Sequence, residues 1–383
     1  MNTVIYENRA GDFLPLVYLY PQYLLRIGLA TIAEQLAWCN ANNPTEFICR
    51  EYFQQKKISS HGPKVYLASS FIPTKRLPVV KRDVKLVNDG RLVGFVRHKP
   101  PYPATLDEIA DAQQQMQDSL EVKGVVLEHI WDIIAQNGEL ITSRFSSVKT
   151  RKPSRNIYII GSSTHVHIAA SARLYRQVAL DVTDGPIYID EGAEIRPFTS
   201  ISGPTYIGKN SVIDRAKITR STIGPSCRIG GEVEECIFQG YANKYHEGFI
   251  GHSFIGEWVN LGALTTNSDL KNNYGPVRLE IAGKSMSSGM TKLGCFIGDH
   301  TKTGIGTLIP TGAVIGCFVN FFGGGMMPRN APCFRWLSPQ EHTGYDLDKA
   351  IATARTVMER RGVTMSPQQE TVIRHIHQCQ ASS

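Results

Sequence analysis

The chain has no Cys-x-x-Cys pair, no unbroken apolar run of membrane-spanning length and no block of lysine and arginine interleaved with aromatics. The first absence, in a chain too large to need stapling, leaves eight scattered cysteines (Cys39, Cys49, Cys227, Cys236, Cys295, Cys317, Cys333 and Cys379) that read as reduced, mostly structural thiols. The second removes a membrane span, which needs about 18 or more apolar residues in succession. The longest early run, Phe13 to Leu25, contains Pro15 and Pro21 and has neither a basic leader nor a small-residue cleavage site. A cytoplasmic protein with no membrane partner is therefore expected. The third absence argues against a nucleic-acid partner, because the net charge of +7 is spread along the chain. Anionic small molecules are the expected beneficiaries of that charge.

What is present is apolar content and length. At 383 residues, 42% hydrophobic and 20% charged, the chain can bury two or three cores.

The most informative feature is an internal repeat. Ile189, Ile195, Ile201, Ile207 and Ile213 fall six apart, the spacing returns at Ile223 and Ile229 and at Ile255 and Leu261, and a last run holds Ile297, Thr303, Ile309, Ile315 and Phe321. A period of six is neither the 3.6 of a helix nor the 2 of a strand. It is the repeat of a coil with three short flat faces, each turning one aliphatic residue inward, whose rungs are stable only when stacked. Glycine follows many of these residues, as in Ile207-Gly208 and Ile315-Gly316, and is expected to supply the backbone angles of the turns. The fold class expected is a β-solenoid, a left-handed parallel β-helix over residues 157–336.

Between Asn267 and Leu293 the hexads stop and Asn, Lys, Gly and Ser dominate, which predicts a loop ejected from the coil. Residues 1–145 lack the period. Strand-like Val65 to Ala68 and Leu92 to Val96 alternate with helical patterns at Ile27 to Trp38 and Leu106 to Leu120, suggesting a small α/β domain. A linker from Ser147 to Arg155 follows it. Residues 337–383 read as a helical tail: Tyr345 to Arg361 stops at Gly362, and Ser366-Pro367 opens a second helix.

Acyl transfer to an amine needs a base, donors for an oxyanion and polar groups for the acceptor. The stretch from Gln239 to Gly251 interrupts the hexads and supplies these types, including Asn243, Lys244 and His246. A neutral imidazole accepts a proton near physiological pH, so His246 is the expected general base. His252 and His300 invite a three-histidine zinc site, but His246 and His252 are six apart where such a site in this architecture spaces two histidines by five, and no metal site is assigned.

The segment His246 to Ala263, continued by Asn267 to Gly275 and Gly298 to Gly304, resembles the bifunctional enzymes that acetylate glucosamine 1-phosphate and then uridylylate it, especially a variant sugar nucleotidyltransferase-like branch. The resemblance implies that His246 matches the catalytic base and that Asn260 lines the acceptor pocket. It further implies acyl-CoA contacts at Ala263, Lys302 and Gly304, Tyr274 in the family's Asn-Tyr loop, and Arg228 and Lys244 as sugar-phosphate ligands, with Asn243 beside them. Acetyl-CoA as donor, a sugar phosphate as acceptor and a homotrimer whose ejected loop reaches a neighbouring subunit are further implications. Two departures stand out: Phe249 replaces a tyrosine, and Leu264 replaces a glycine in the usual Gly-Ala-Gly-Thr stretch, which narrows the path of the pantetheine arm.

In the N-terminal domain, the segment Phe13 to Thr31 is similar to the variant branch. The glycine-rich turn, arginine and Pro-Lys pair that grip nucleotide phosphates in the standard enzymes are absent, so the domain reads as degenerate and nucleotidyltransferase-like. Mg2+ is expected only if that domain is active. Two alternatives stay beside the acyltransferase reading: a bifunctional enzyme that also transfers a nucleotidyl group, and a non-catalytic hexapeptide scaffold.

Overall fold

A computed structural model describes residues 1–39, 45–53, 58–59, 61–145 and 157–381; the linker expected from Ser147 to Arg155 lies outside them. The chain divides into two compact units. One comprises Met1–Phe13, Tyr20–Leu25 and Ala30–Asp132, and the other Leu14–Leu19, Arg26–Leu29 and Ile133–Ser383.

The first unit carries a mixed six-stranded sheet of β1 (Asn2–Tyr6), β2 (Thr45–Ile48), β3 (Lys64–Ala68), β4 (Val84–Asn88), β5 (Arg91–Arg97) and β6 (Ser119–Glu121) in the order β2-β1-β3-β5-β4-β6. β1 runs parallel to β2 and β3, and β5 runs antiparallel to β3 and β4. Helices α1 (Ile32–Cys39) and α2 (Leu106–Gln115) belong to this unit. The helix expected from Ile27 begins later because Gly28 takes a left-handed φ of 62°. The helix expected to reach Leu120 ends at Gln115, since Leu120 pairs with Leu86 in the sheet.

The second unit is a left-handed parallel β-helix of about 10 turns. Each turn visits three faces, and side chains alternate inward and outward along each short strand. On the first face Ile189, Ile207, Ile223, Phe238, Ile255, Ile297, Ile315 and Ala331 stack in one unbroken register. The second face stacks Ile195, Ile213, Ile229 and Lys244, and the third stacks Leu180, Ile201, Ile218, Val233 and Ile250. The isoleucines are fully buried in one continuous core. Each contributes roughly 1.5–3 kcal/mol by leaving water. The interval of six slips to five between Ile213 and Ile218, where the register shifts at Arg215.

The glycines after the ladder residues serve a purpose other than the one expected. Gly208, Gly224 and Gly316 have no positive φ; the left-handed residue comes two positions later, at Asn210, Ser226 and Phe318. A side chain at Gly224 would put its Cβ 2.2 Å from the Gln239 carbonyl oxygen, and at Gly316 2.5 Å from the Cys333 nitrogen. Glycine is required there by the close approach of the next turn.

Several elements pack on the coil. α3 (Ile130–Phe145) presents Asn137, whose Oδ1 accepts from the Gly28 N–H at 2.8 Å and from the Thr222 hydroxyl at 2.8 Å. After the coil come α4 (Leu347–Glu359), followed by Gly362 at φ 70°, and α5 (Pro367–Ala381), whose Ser366 hydroxyl accepts from the Gln369 N–H. The seven buried cysteines and exposed Cys379 are all free thiols. Among the described residues no helix is long and apolar enough to cross a membrane.

Candidate functional site

The outer row of the second face gathers four of the residues singled out in the sequence. Arg228, Asn243, Asn260 and Lys302 occupy the same register position on four successive turns, followed by Asn320. Parallel neighbours lie about 4.8 Å apart, so the row from Arg228 to Asn320 runs roughly 19 Å along the coil. The Asn243 side-chain amide donates to Asn260 Oδ1 at 2.8 Å, and the Lys302 ammonium donates to the His300 backbone carbonyl at 2.8 Å. Burial lowers the Lys302 ammonium to about 8. Arg361, beyond α4, joins the row's start: it donates to the Ser226 carbonyl at 2.9 Å, and burial together with nearby Arg228 lowers its pKa. Two guanidiniums held close together favour an anion between them. The sequence offered no signal for Arg361, since 133 positions separate it from Arg228.

The corner leading from the second face to the third carries His246, which is exposed. Its backbone carbonyl is fixed from below by Lys244, whose ammonium donates to the carbonyls of both Gly230 and His246 at 2.9 Å. Lys244 does not join the outer row. It occupies an inward ladder position in register with Ile229, 1% exposed, and burial lowers it to about 8. The phosphate ligand expected at this position is thus an internal prop for the corner, because an odd step along the strand turns the side chain inward. Tyr245 is pinned as well: its hydroxyl donates to Asp214 at 2.7 Å and accepts from Arg196 at 2.6 Å.

On the next turn the same corner holds Ala263 and Leu264. The Ala263 carbonyl accepts from Gly306 N–H at 2.8 Å and the Leu264 N–H donates to the Glu247 carbonyl at 2.9 Å. The Ala263 N–H donates to no protein acceptor among the described residues. Gly304 backs this corner closely, since a Cβ on Gly262 would sit 2.6 Å from its carbonyl carbon. Leu264 is 57% exposed and Ile305, after Gly304, is 72% exposed.

The other two histidines stand at different corners. His300 is buried between Trp258 and Phe318, with its Nδ1 unpartnered and its pKa lowered well below the ordinary value by burial and Lys302. His252 lies at the corner from the third face to the first, where its Nδ1 meets Asp269 Oδ2 at 2.7 Å. Among the described residues no three histidine, cysteine or acidic side chains converge as metal ligands do. The hexad gap is an ejected segment that contains a hairpin of Arg278–Ile281 with Lys284–Ser287. Tyr274 lies on that segment and is 71% exposed.

The first unit contains a cavity of about 350 Å³ at the C-terminal ends of β1 and β2, walled by Glu7, Asn8 and Arg50 on one side and by Leu106, Ile109 and Ala110 of α2 on the other. Glu7 is the one carboxylate among its lining residues. Its oxygens already accept from the Arg50 guanidinium and from the N–H groups of Gln22 and Arg50, at 2.7–3.1 Å. A hard divalent cation wants several open carboxylate or water positions, so the residues here do not fit Mg2+.

Residues 3–152 match the sugar nucleotidyl transferase family. The bifunctional sugar-1-phosphate nucleotidylyltransferase/acetyltransferase of Sulfurisphaera tokodaii is 37% identical over 154 residues, 38% of this chain and 37% of that protein. The bifunctional protein GlmU of Methanocaldococcus jannaschii is 28% identical over 216 residues, 55% of this chain and 48% of that protein. The chain is similar to these bifunctional proteins. It matches less than half the length of those two relatives. The putative uncharacterized acetyltransferase YaiX of Escherichia coli is 27% identical over 43% of the chain and 74% of its own length. A putative acetyltransferase of Bacillus cereus covers 56% of the chain and 92% of its own at 14% identity, with a TM-score of 0.24, a likeness too slight to carry an argument.

Proposed function

We propose that this chain is an acyl-CoA-dependent N-acyltransferase, with acetyl-CoA as donor and an amino-sugar phosphate or nucleotide amino sugar as acceptor. The observation that carries the reading is the juxtaposition of a polar, cationic row (Arg228, Asn243, Asn260, Lys302) with a corner bearing an exposed imidazole and, one turn on, an unspent Ala263 N–H. His246 takes a proton from the attacking amine as the nitrogen adds to the thioester carbonyl. The Ala263 N–H stabilises the oxyanion, and collapse of the tetrahedral intermediate forms the amide and expels the thiolate, which receives the proton from His246. Arg228 and Lys302 hold the anionic groups of acceptor and donor.

The proposal includes a homotrimer, supported by the exposed apolar corner of Leu264, Ile305 and Met326 beside the site. Use of acyl-CoA is the reason to propose a cytoplasmic setting. The test is release of free thiol from acetyl-CoA against a panel of amino-sugar phosphates. His246→Ala is expected to lose two or more orders of magnitude in kcat. Equal rates in both proteins would remove His246 from the mechanism.

A second reading, nucleotidyl transfer to a sugar 1-phosphate, is favoured by the family match over residues 3–152 and opposed by the saturated Glu7. Release of pyrophosphate from a nucleoside triphosphate and a sugar 1-phosphate decides it.

A further inference from the structure

The third face between His246 and His252 has the makings of a sugar platform. Its strand, Phe249–Gly251, turns Ile250 into the core and leaves Phe249 and Gly251 outward. Gly251 is bare for a reason: a Cβ there would lie 2.4 Å from the Phe249 ring and 2.6 Å from Asp269 Oδ2. The Phe249 ring therefore lies flat along the face, with the Asp269 carboxylate beside its far end.

That carboxylate is held by His252 Nδ1 at 2.7 Å. Although burial works against it, the His252 hydrogen bond and Lys292 keep the Asp269 carboxyl below its usual value. An ionised carboxylate accepts up to four hydrogen bonds, so Asp269 retains acceptor capacity after His252. The neighbouring turn places Glu232 beside Phe249 and Glu234 beside Gly251. Their countercharges, Lys217 at 2.7 Å and Lys292 at 3.5 Å, are already committed. This edge donates little to an anion and accepts readily from hydroxyls. The strand's three residues span about 10 Å, the length scale of one monosaccharide with its substituents.

We propose that Phe249, His252 and Asp269 form the hydroxyl-recognition subsite of the acceptor. A pyranose ring lies with its C–H face on Phe249, its amine at the His246 end and the hydroxyls remote from that amine donating to Asp269. The electron-rich ring face attracts the C–H edges, and a hydroxyl bonded to a charged carboxylate discriminates strongly against its absence. The acceptor's phosphate or nucleotide is excluded from this edge by Glu232, Glu234 and Asp269. His252 acts as a positioning residue for the carboxylate. The proposal rests on the acyltransferase reading for the position of the amine, though not for the binding of the sugar.

The experiment uses the full chain, with glucosamine and its 3-, 4- and 6-deoxy analogues as probes. Binding is read by calorimetry without acyl donor and turnover by thiol release with acetyl-CoA. In the wild type, one deoxy analogue is expected to bind about tenfold more weakly than glucosamine. In Asp269→Asn that difference should shrink to within about twofold as glucosamine itself binds more weakly, with KM for acetyl-CoA unchanged. His252→Gln should produce a smaller version of the same change. Phe249→Tyr should retain binding, and Phe249→Ala should weaken all four probes alike. An undiminished deoxy penalty in Asp269→Asn, or no penalty with any analogue in the wild type, overturns the proposal. Thiol release with the panel of amino-sugar phosphates decides the acyltransferase reading separately, since calorimetry alone reports the subsite. If Asp269→Asn melts early, the His252→Gln and Phe249→Ala titrations decide the matter.

Discussion

The early and middle turns of the coil are built to one plan with different fillings. From Ile189 to Ile229 the inward positions are isoleucine on all three faces, each fully buried. Over the middle turns the same positions include Lys244, Asn267 and Thr303, all 5% exposed or less. These residues bond inward: Lys244 to the Gly230 and His246 carbonyls, Asn267 to the N–H and carbonyl of Gly251, Thr303 to Thr265. The middle turns thus give up apolar burial to fix the backbone at the corners where His246, Gly251 and Gly262 stand. A buried polar group costs little only when fully bonded, so the comparison teaches that these turns spend stability on holding corner geometry.

Four substitutions sharpen or break that contrast. The largest effect is expected for Gly224→Ala, whose Cβ would meet the Gln239 carbonyl at 2.2 Å. Backbone cannot yield as a flexible side chain does, and a loss of about 4 kcal/mol or failure to fold is expected in denaturant titration. Next is Ile207→Ala, in a purely apolar turn, with a loss of about 3 kcal/mol by the same measurement and unchanged turnover in the surviving folded protein.

Glu257, on the corner after Ile255, comes third. Burial raises its carboxyl to about 7, with Arg26 opposing. The folded protein then holds a proton that the unfolded chain has lost between about pH 4.5 and 7, so stability falls as pH rises through that interval. Glu257→Gln should relieve this by up to about 2 kcal/mol at pH 8 and by almost nothing at pH 4. Melting curves at the two pH values check it, and equal shifts would contradict the assignment.

The smallest stability effect is expected at Lys244. Its folded ammonium titrates near 8, below the unfolded value of 10.5, so its contribution improves as pH rises from about 8 toward 10.5. In Lys244→Met that pH dependence should disappear and the melting temperature at pH 7 should change by a few degrees at most. Turnover should nonetheless fall about tenfold, equivalent to about 1.4 kcal/mol, because the His246 carbonyl loses its prop. Unchanged kcat would mean that the inward lysine serves packing alone.

Much of the coil was legible because its information is local and periodic. The Ile-x5 spacing specifies which residues face inward, and the break after Asn267 marks where the chain leaves the coil. Gly362 and Ser366 marked the helix ends of the tail through capping chemistry. The α3 helix escaped notice because its apolar residues face a coil surface that the local pattern does not reveal. The sequence singled out Arg228, Asn243, Asn260 and Lys302 separately, and the fold set them in one row. It presented Lys244 as one more polar residue in an interruption; only counting strand alternation from Ile229 in the folded register turns it inward.

By itself, then, the sequence determined the solenoid, its ejected segment and its helical tail, because hydrophobic periodicity and caps act over a few residues. The tertiary structure decided which polar residues meet. His252 and Asp269 lie 17 positions apart, and Arg228 and Arg361 come together from a strand and the end of a helix. Such pairs depend on how many residues each turn consumes, and slips like the one between Ile213 and Ile218 change that number without leaving a local mark.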